Sequence, residues 1–444
     1  MAEVRPFRGL RYDEQTDLDL VVAPPYDVLD ADQTDKLRRR SPLNAVHVDL
    51  PVGPGEAPSD EAYDRAAALL SLWRRDGALV RDEEPAVYLV DQTYRGPDGA
   101  EHMRRGFVAR LTLAALEERV VLPHEKTHAG PKVDRLRLYR ATHADISTIF
   151  LLYPDDDGAV SAELAAAAAE LGIGGGEPDP AGVRSAHDGD GNVHRIAAVG
   201  GERAARITSL LAGQSLYIAD GHHRYETALA YRDERRAAGD HRADTLMVYL
   251  CSMRDPGLMV FPAHRMVKGI EMPPMEEVLG RLEPAFTVVF RESAAGGACE
   301  GLVDRLRDTV DPGRSFGLYF PREKTCCLVT LTDAGALERL AGLAGEGMSP
   351  EAARLSVTIL HRLILGDGVG IDPAHSEGLI DYVVSTEEAL RRLEAGEYAF
   401  GAFLTATGVD EVRAVADNGE TMPQKSTYFY PKLLTGLVFD ALGD

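Results

Sequence analysis

One short turn near the middle of the chain, residues 220–224, carries the side chains that are best suited to chemistry. Gly221 permits a tight turn, and helix-forming residues follow it, so the positive end of a helix dipole is expected here. Such a helix start attracts phosphate, and Arg224 adds a fork of donors, with His222 and His223 beside it. Asp220 is a candidate catalytic residue and magnesium ligand. The alternative interpretation is an ordinary capped helix with solvated histidines.

A second candidate is the formal His-Glu-x-x-His pattern of His124, Glu125 and His128. A zinc hydrolase needs both histidines on one face of a continuous helix. Pro123 can only open a helix, and Pro131 pushes the residue before it away from helical angles. Zinc chemistry is therefore disfavoured and stays an alternative.

A third candidate is Lys425-Ser426-Thr427, near the end of the chain. Lys-Ser also ends a P-loop, but the glycines that such a loop needs to expose its N–H groups are missing. Walker-type phosphate binding is therefore excluded, and the lysine and hydroxyls remain candidates for phosphate or substrate contact.

The elements that must position these residues alternate between strands and helices. The apolar run 216–219 predicts a strand that leads into the turn, and residues 225–238 continue as a helix. Residues 86–90 and 106–111 predict a hairpin, 147–153 predicts a buried strand, and 45–50 alternates like a strand. The prolines at 24 and 25 fix an extended loop that either presents Tyr26 and Asp27 or forms a purely structural bend.

Composition narrows the class of protein. The chain has 444 residues with 45% hydrophobic content, which predicts two or three globular units. A formal net charge of −23 argues against nucleic acid or membrane surfaces as partners. We expect a cytoplasmic protein without a signal peptide or membrane span. Its cysteines are expected to be buried and reduced, and His264 and Arg265 are expected at the surface.

The chain resembles the uncharacterised bacterial family DUF1015. Four segments carry the resemblance: Arg-Pro-Phe-Arg-Gly at 5–9, Ala-Pro-Pro-Tyr-Asp-Val at 23–28, Pro-His-Glu-Lys-Thr at 123–127 and Ile-Ala-Asp-Gly-His-His-Arg at 218–224. The last of these also resembles the Asp-Gly-His-His-Arg signature of the ParB/sulfiredoxin-like superfamily, whose members bind nucleotides there.

Three motifs stand in the same order as in the free serine kinases of that superfamily: 123–125, 220–224 and 423–427. This resemblance implies that Glu125 is the general base and that Lys126 and Lys132 are cations near the phosphates. It also implies a nucleotide at the turn and at the Lys-Ser-Thr segment, through Gly221, His222, His223, Arg224, Lys425, Ser426 and Thr427. The arginine and histidine that follow in those kinases are Tyr428 and Phe429 here, which puts the substrate in doubt.

These observations predict an α/β (α+β) protein with a ParB/sulfiredoxin-like core. The expected catalytic region is 1–265, with an insertion at about 154–213, and a C-terminal α+β region, 266–444, returns the Lys-Ser-Thr segment. The predicted function is an ATP- or ADP-dependent, magnesium-requiring kinase that phosphorylates the hydroxyl of a small metabolite, with free serine as one candidate. The alternatives are a ParB-like nucleotide-binding switch and a zinc hydrolase, and the oligomeric state stays open.

Overall fold

A computed structural model describes residues 2–53, 56, 58–125, 127, 129–174, 179–293, 299, 301–343, 348–372, 378–423 and 425–442. The chain divides into two compact units. The first unit comprises Met1–Pro123, Thr127–Met259 and Pro431–Asp444, and the second comprises His124–Lys126 and Val260–Tyr430. The sequence prediction placed its division at residue 265.

The strands are between 2 and 12 residues long and are distributed along the described ranges. In chain order they are β1 (Val4–Arg5), β2 (Leu10–Tyr12), β3 (Leu79–Arg81), β4 (Ala86–Arg95), β5 (Glu101–Thr112), β6 (Val121–Leu122), β7 (Ala144–Asp145), β8 (Ile149–Tyr153), β9 (Val183–His187), β10 (Val193–Gly200), β11 (Leu216–Asp220), β12 (Thr245–Ser252), β13 (Met259–Phe261), β14 (His264–Val267), β15 (Phe286–Ser293), β16 (Ser315–Phe320), β17 (Thr325–Leu331), β18 (Ile380–Val383), β19 (Phe400–Phe403), β20 (Tyr428–Tyr430) and β21 (Asp440–Ala441).

Helices lie between many of these strands, and within the described residues four α-helices follow one another between β2 and β3. The α-helices are α1 (Leu18–Val21), α2 (Ala31–Arg40), α3 (Val46–Asp49), α4 (Asp60–Arg75), α5 (Ala129–Thr142), α6 (Ala159–Leu171), α7 (Gly201–Leu210), α8 (His222–Ala237), α9 (Met275–Leu282), α10 (Leu302–Arg307), α11 (Ala334–Leu343), α12 (Pro350–Arg354), α13 (Ser356–Ile359), α14 (Thr386–Glu394) and α15 (Val409–Asp417). A π-helix spans Leu360–Val369, and a 3-10 turn spans Tyr26–Val28. The predicted mixed α/β class is confirmed, whereas the strand expected at 45–50 is wrong because α3 lies there.

The first unit is built on a mixed sheet with the order β6-β11-β8-β12-β5-β4-β10-β9, and β1 pairs with β5. The pairs β6–β11 and β8–β12 are parallel, and the other pairs are antiparallel. The predicted hairpin is confirmed as β4 and β5. Residues 154–213 contribute β9 and β10 to one edge of this sheet.

Local sequence explains the strand–turn–helix of this unit. The run 216–219 is apolar and fully buried, which suits an interior strand. Gly221 ends it with a φ of 97°, a conformation that glycine adopts without steric cost. The helix α8 then buries Tyr225, Ala228 and Tyr231 on one face, consistent with a period of 3.6 residues.

The second unit has an antiparallel sheet with the order β15-β17-β16-β19-β14-β18. Phe316, Val329 and Phe400 are fully buried in its main core. Cys299 and Cys326 form a disulfide in this unit, so the expectation that the cysteines are all reduced is wrong. Across the described ranges, no helix is both long and apolar enough to span a membrane.

Candidate functional site

The first cluster of predicted site residues lies where β11 passes into α8. The backbone conformation of Gly221 lets the chain reverse, and a Cβ at this position would lie 3.1 Å from Nε of Arg224. The guanidinium therefore folds back over the glycine, and any larger residue would displace it. The N–H of Tyr225 closes the first turn on the carbonyl of Gly221, at 3.0 Å. The positive end of the α8 dipole and the guanidinium of Arg224 therefore lie close together at this turn.

Arg224 is buried, with 6% of its surface exposed. Its Nη1 donates to the carbonyl of Thr148 at 2.6 Å, and its Nη2 lies 3.8 Å from Oδ1 of Asp220. Burial alone would lower the pKa of this guanidinium, but the carboxylates of Asp220 and Asp27 raise it above its ordinary value. Arg224 therefore stays charged in a largely dry setting, where its attraction for an anion is strong.

The loop that holds Tyr26 and Asp27 belongs to the same cluster. The ring of Tyr26 lies under the guanidinium of Arg135, at 4.1 Å, and Arg224 is 6.0 Å from its centre. Burial raises the pKa of Tyr26, so its hydroxyl stays protonated at neutral pH. The two prolines thus place an aromatic ring against the two arginines. The sequence had left open whether this loop was merely a structural bend.

A small cleft opens beside the turn within the first unit. It is lined by Pro25, Ser147, Thr148, Phe150, Asp220, Arg224, Leu433 and Thr435. Lys432 also reaches Asp220, with Nζ 2.9 Å from Oδ2. The lysine that contacts the predicted carboxylate is therefore Lys432, and sequence reasoning did not single it out.

A second cluster lies in the second unit, where the segment around Glu125 meets the Lys-Ser-Thr segment. The N–H of Met422 donates to the carbonyl of His124 at 2.7 Å, and Glu125 forms a parallel bridge with Met422. The N–H of Ser426 donates to Oε1 of Glu125 at 3.2 Å, and Nε2 of His124 lies 3.1 Å from Oγ1 of Thr427. Two motifs that are about 300 residues apart are thus joined by several hydrogen bonds.

Lys425 has a φ of 54°, which is uncommon for a residue with a side chain. Its carbonyl lies 3.4 Å from Nη2 of Arg265, whose Nε donates to Nε2 of His361 at 3.1 Å. Arg265 and His264 are both fully buried, so their expected surface placement is wrong. Burial lowers the pKa of Arg265 to about 10, while the charge of Glu125 acts in the opposite direction.

The structure also bears on the predicted phosphate-binding lysines and on the zinc alternative. Lys132 contacts Glu226 at 2.7 Å and Thr127 at 2.9 Å, so its charge is already balanced by a carboxylate. Lys126 and His128 lie outside the described residues. The bridge formed by Glu125 requires extended backbone, which is incompatible with the continuous helix that a His-Glu-x-x-His zinc site needs.

Comparison with known proteins identifies the family of the chain. A family model described as a protein of unknown function, DUF1015, matches residues 4–358. The chain belongs to the DUF1015 family. No curated protein matches the chain.

Solved structures similar to this DUF1015 chain include a free serine kinase in complex with AMP, at 14% identity and a TM-score of 0.32, covering 70% of this chain and 83% of that one. A conserved hypothetical protein from Pyrococcus furiosus is 14% identical, with a TM-score of 0.30 and coverages of 70% and 87%. SbnI with a C-terminal truncation, from Staphylococcus aureus, is 10% identical, with a TM-score of 0.31 and coverages of 73% and 84%.

The donor set at the turn limits what metal this DUF1015 protein could hold there. Among the residues that the structure describes, no group of three His, Cys, Asp or Glu side chains is arranged to hold a metal ion. Asp220 already contacts Lys432 and Arg224. Magnesium commonly binds through one or two carboxylates together with substrate phosphates. Asp220 would therefore supply one carboxylate ligand to such an ion, and the remaining ligands would have to come from a substrate or from water.

Proposed function

We propose that this DUF1015 protein is a nucleotide-dependent phosphotransferase that phosphorylates the hydroxyl of a small metabolite. The observation that carries the proposal is the buried guanidinium of Arg224, folded over Gly221 at the start of α8. A helix start that also presents an arginine suits the phosphates of ATP or ADP. Gly221, His222 and His223 complete the proposed nucleotide-binding turn.

Phosphoryl transfer needs positioning and charge stabilisation more than covalent chemistry. Arg224 and the dipole of α8 would stabilise the negative charge that spreads over the transferred group. Asp220 would orient Arg224 through its carboxylate, and a bound magnesium ion would supply further charge neutralisation. The low exposure of Arg224 strengthens these electrostatic contributions because little water screens them.

The acceptor hydroxyl needs a base, and we assign that role to Glu125. Its Oε1 accepts the N–H of Ser426, which fixes the carboxylate relative to the Lys-Ser-Thr segment. We assign contact with phosphate or substrate to Lys425, Ser426 and Thr427, and the left-handed backbone at Lys425 is the kind of strain that is often found in functional loops. Free serine is the first acceptor to try, because the three motifs resemble those of the free serine kinases and stand in the same order.

The test is to incubate the pure protein with magnesium, with ADP, ATP or CTP, and with a mixture of hydroxylated metabolites that includes serine. We expect a phosphorylated product that requires both nucleotide and acceptor, detected by mass spectrometry. Tight nucleotide binding without any acceptor-dependent product would instead favour the ParB-like switch. Absence of nucleotide binding would contradict both functions.

A further inference from the structure

Lys432 lies near the end of the chain, yet its ammonium reaches the turn that begins α8. Its Nζ contacts Oδ2 of Asp220 at 2.9 Å, whereas Nη2 of Arg224 approaches Oδ1 at 3.8 Å. The two cations thus contact different oxygens of one carboxylate. These three side chains alone carry a formal charge of +1, and the carboxylates of Asp27 and Asp49 also act on Arg224.

The backbone at Lys432 is held by two buried side chains of the sheet. Nη2 of Arg104 donates to the carbonyl of Pro431 at 2.6 Å, and Nε2 of Gln92 donates to the carbonyl of Lys432 at 3.2 Å. Gln92 and Arg104 are directly paired across β4 and β5, and both are 0% exposed. A lysine side chain is normally flexible and solvated, so fixing its backbone from the core restricts where its ammonium can go.

The orientation of the Gln92 amide follows from its neighbours. Arg104 can only donate, so the atom that it contacts at 2.9 Å must be Oε1 of Gln92. Nε2 then faces the carbonyl of Lys432 and Nδ1 of His194, the latter at 3.0 Å. His194 therefore carries its proton on Nε2, which donates to Asp188 at 3.1 Å. Every polar atom of the Gln92 side chain is used, and only one orientation satisfies all of these contacts.

We infer that Lys432 is a further phosphate-binding residue of this protein, and that Gln92 and Arg104 are positioning residues that hold it beside Asp220. The inference rests on the proposed nucleotide site at the start of α8. With a nucleotide present, the ammonium of Lys432 donates to a phosphate oxygen and adds a second cation to Arg224. Asp220 keeps both cations at the turn before the nucleotide binds.

The first experiment measures the dissociation constants of ADP and ATP by calorimetry with the full chain. Lys432→Met removes the charge and keeps most of the side-chain length, and we expect it to weaken nucleotide binding by about tenfold. Lys432→Arg keeps the positive charge, and we expect its dissociation constants to stay within about threefold of the wild-type values. The control is Lys36→Met, an exposed lysine on α2 of the same unit, which should bind like the wild type.

The second experiment is a double-mutant cycle with Gln92→Glu. This change keeps the shape and the acceptor that faces Arg104, but it removes both donors, so the carbonyl of Lys432 meets a carboxylate oxygen. If Gln92 acts through Lys432, the substitution should weaken nucleotide binding in the wild type and change it less than about twofold in Lys432→Met. A merely structural role would weaken binding by the same factor in both backgrounds. The matched control is Gln214→Glu, because the amide of Gln214 also donates to a backbone carbonyl, that of Leu210. This substitution should leave nucleotide binding unchanged in both backgrounds.

Thermal melts establish that each variant is folded. If Gln92→Glu unfolds at the assay temperature, Arg104→Lys replaces it in the cycle, because it keeps the charge and loses the fork that spans Gln92 and Pro431. Wild-type affinity in Lys432→Met would overturn the role of Lys432, and equal losses in both backgrounds would overturn the positioning role. Absence of nucleotide binding to the unaltered protein would overturn the proposed function and this inference together. A loss in Arg224→Ala with none in Lys432→Met would overturn this inference alone.

Discussion

Arg224→Ala is the most direct test of the nucleotide site. The substitution removes a guanidinium that is 6% exposed and donates to the carbonyl of Thr148 at 2.6 Å. Two unit charges 4 Å apart attract by about 4 kcal/mol near a protein surface and by about 1 kcal/mol in water. An effective dielectric constant of about 20 also suits buried sites, so the attraction of Arg224 for a phosphate should be about 4 kcal/mol at most, reduced by its existing contact with Asp220. We therefore expect a loss of about 2 kcal/mol, or a roughly 30-fold rise in the dissociation constant.

The assay is calorimetric titration with ADP and ATP at fixed ionic strength. Arg232→Ala is the matched control, because Arg232 lies on the same helix, is 7% exposed and also donates to a backbone carbonyl, that of Leu113, at 3.0 Å. Both substitutions should cost similar stability, but only Arg224→Ala should weaken nucleotide binding. Equal affinities in the two variants would refute the assignment of the phosphates to this turn.

Three further predictions concern single positions. Glu125→Gln should lower acceptor-dependent turnover by about 10²–10⁴-fold and leave nucleotide affinity within a few-fold of the wild-type value. The control Glu292→Gln, at an exposed glutamate, should leave steady-state rates unchanged. An unchanged rate in Glu125→Gln would mean that another group is the base. Gly221→Ala should weaken nucleotide binding, because the φ of Gly221 is 97° and a Cβ there would lie 3.1 Å from the guanidinium of Arg224. The control Gly239→Ala, at a φ of 76° with no atom within 4 Å of the added Cβ, should cost only about 1–2 kcal/mol of unfolding free energy and leave nucleotide binding unchanged. Equal nucleotide affinities in the two variants would show that displacement of the Arg224 guanidinium does not affect binding. Burial, and then the neighbouring guanidinium of Arg265, lower the pKa of His264 from 6.5 to about 3, so its stabilising contribution is complete above pH 6.5 and is lost as the pH falls toward 3. His264→Gln should therefore reduce the slope of unfolding free energy against pH, measured by urea unfolding in that window, by about 1.4 kcal/mol per pH unit. An unaltered slope would show that His264 does not titrate in this way.

The local structure of the central turn was determined by its own residues. A buried apolar run, a glycine and a run of helix formers specify strand, turn and helix through steric and propensity effects that act within a few residues. The hairpin of β4 and β5 was predictable for the same reason. By contrast, the six-residue alternation at 45–50 was too short to separate strand from helix, and packing made it α3.

Only the tertiary structure decided which distant residues meet. The pairing of Lys432 with Asp220 joins residues that are 212 positions apart, and nothing in the local pattern indicates that Lys432 rather than Lys425 contacts this carboxylate. Likewise, Arg265 looked like an exposed residue at the end of a strand, because charged residues are rarely buried without partners. Its partners, His361 and the carbonyl of Lys425, come from segments far along the chain. Periodicity and turn chemistry reflect neighbours in sequence, whereas the balance of buried charge depends on contacts that form only when the chain folds.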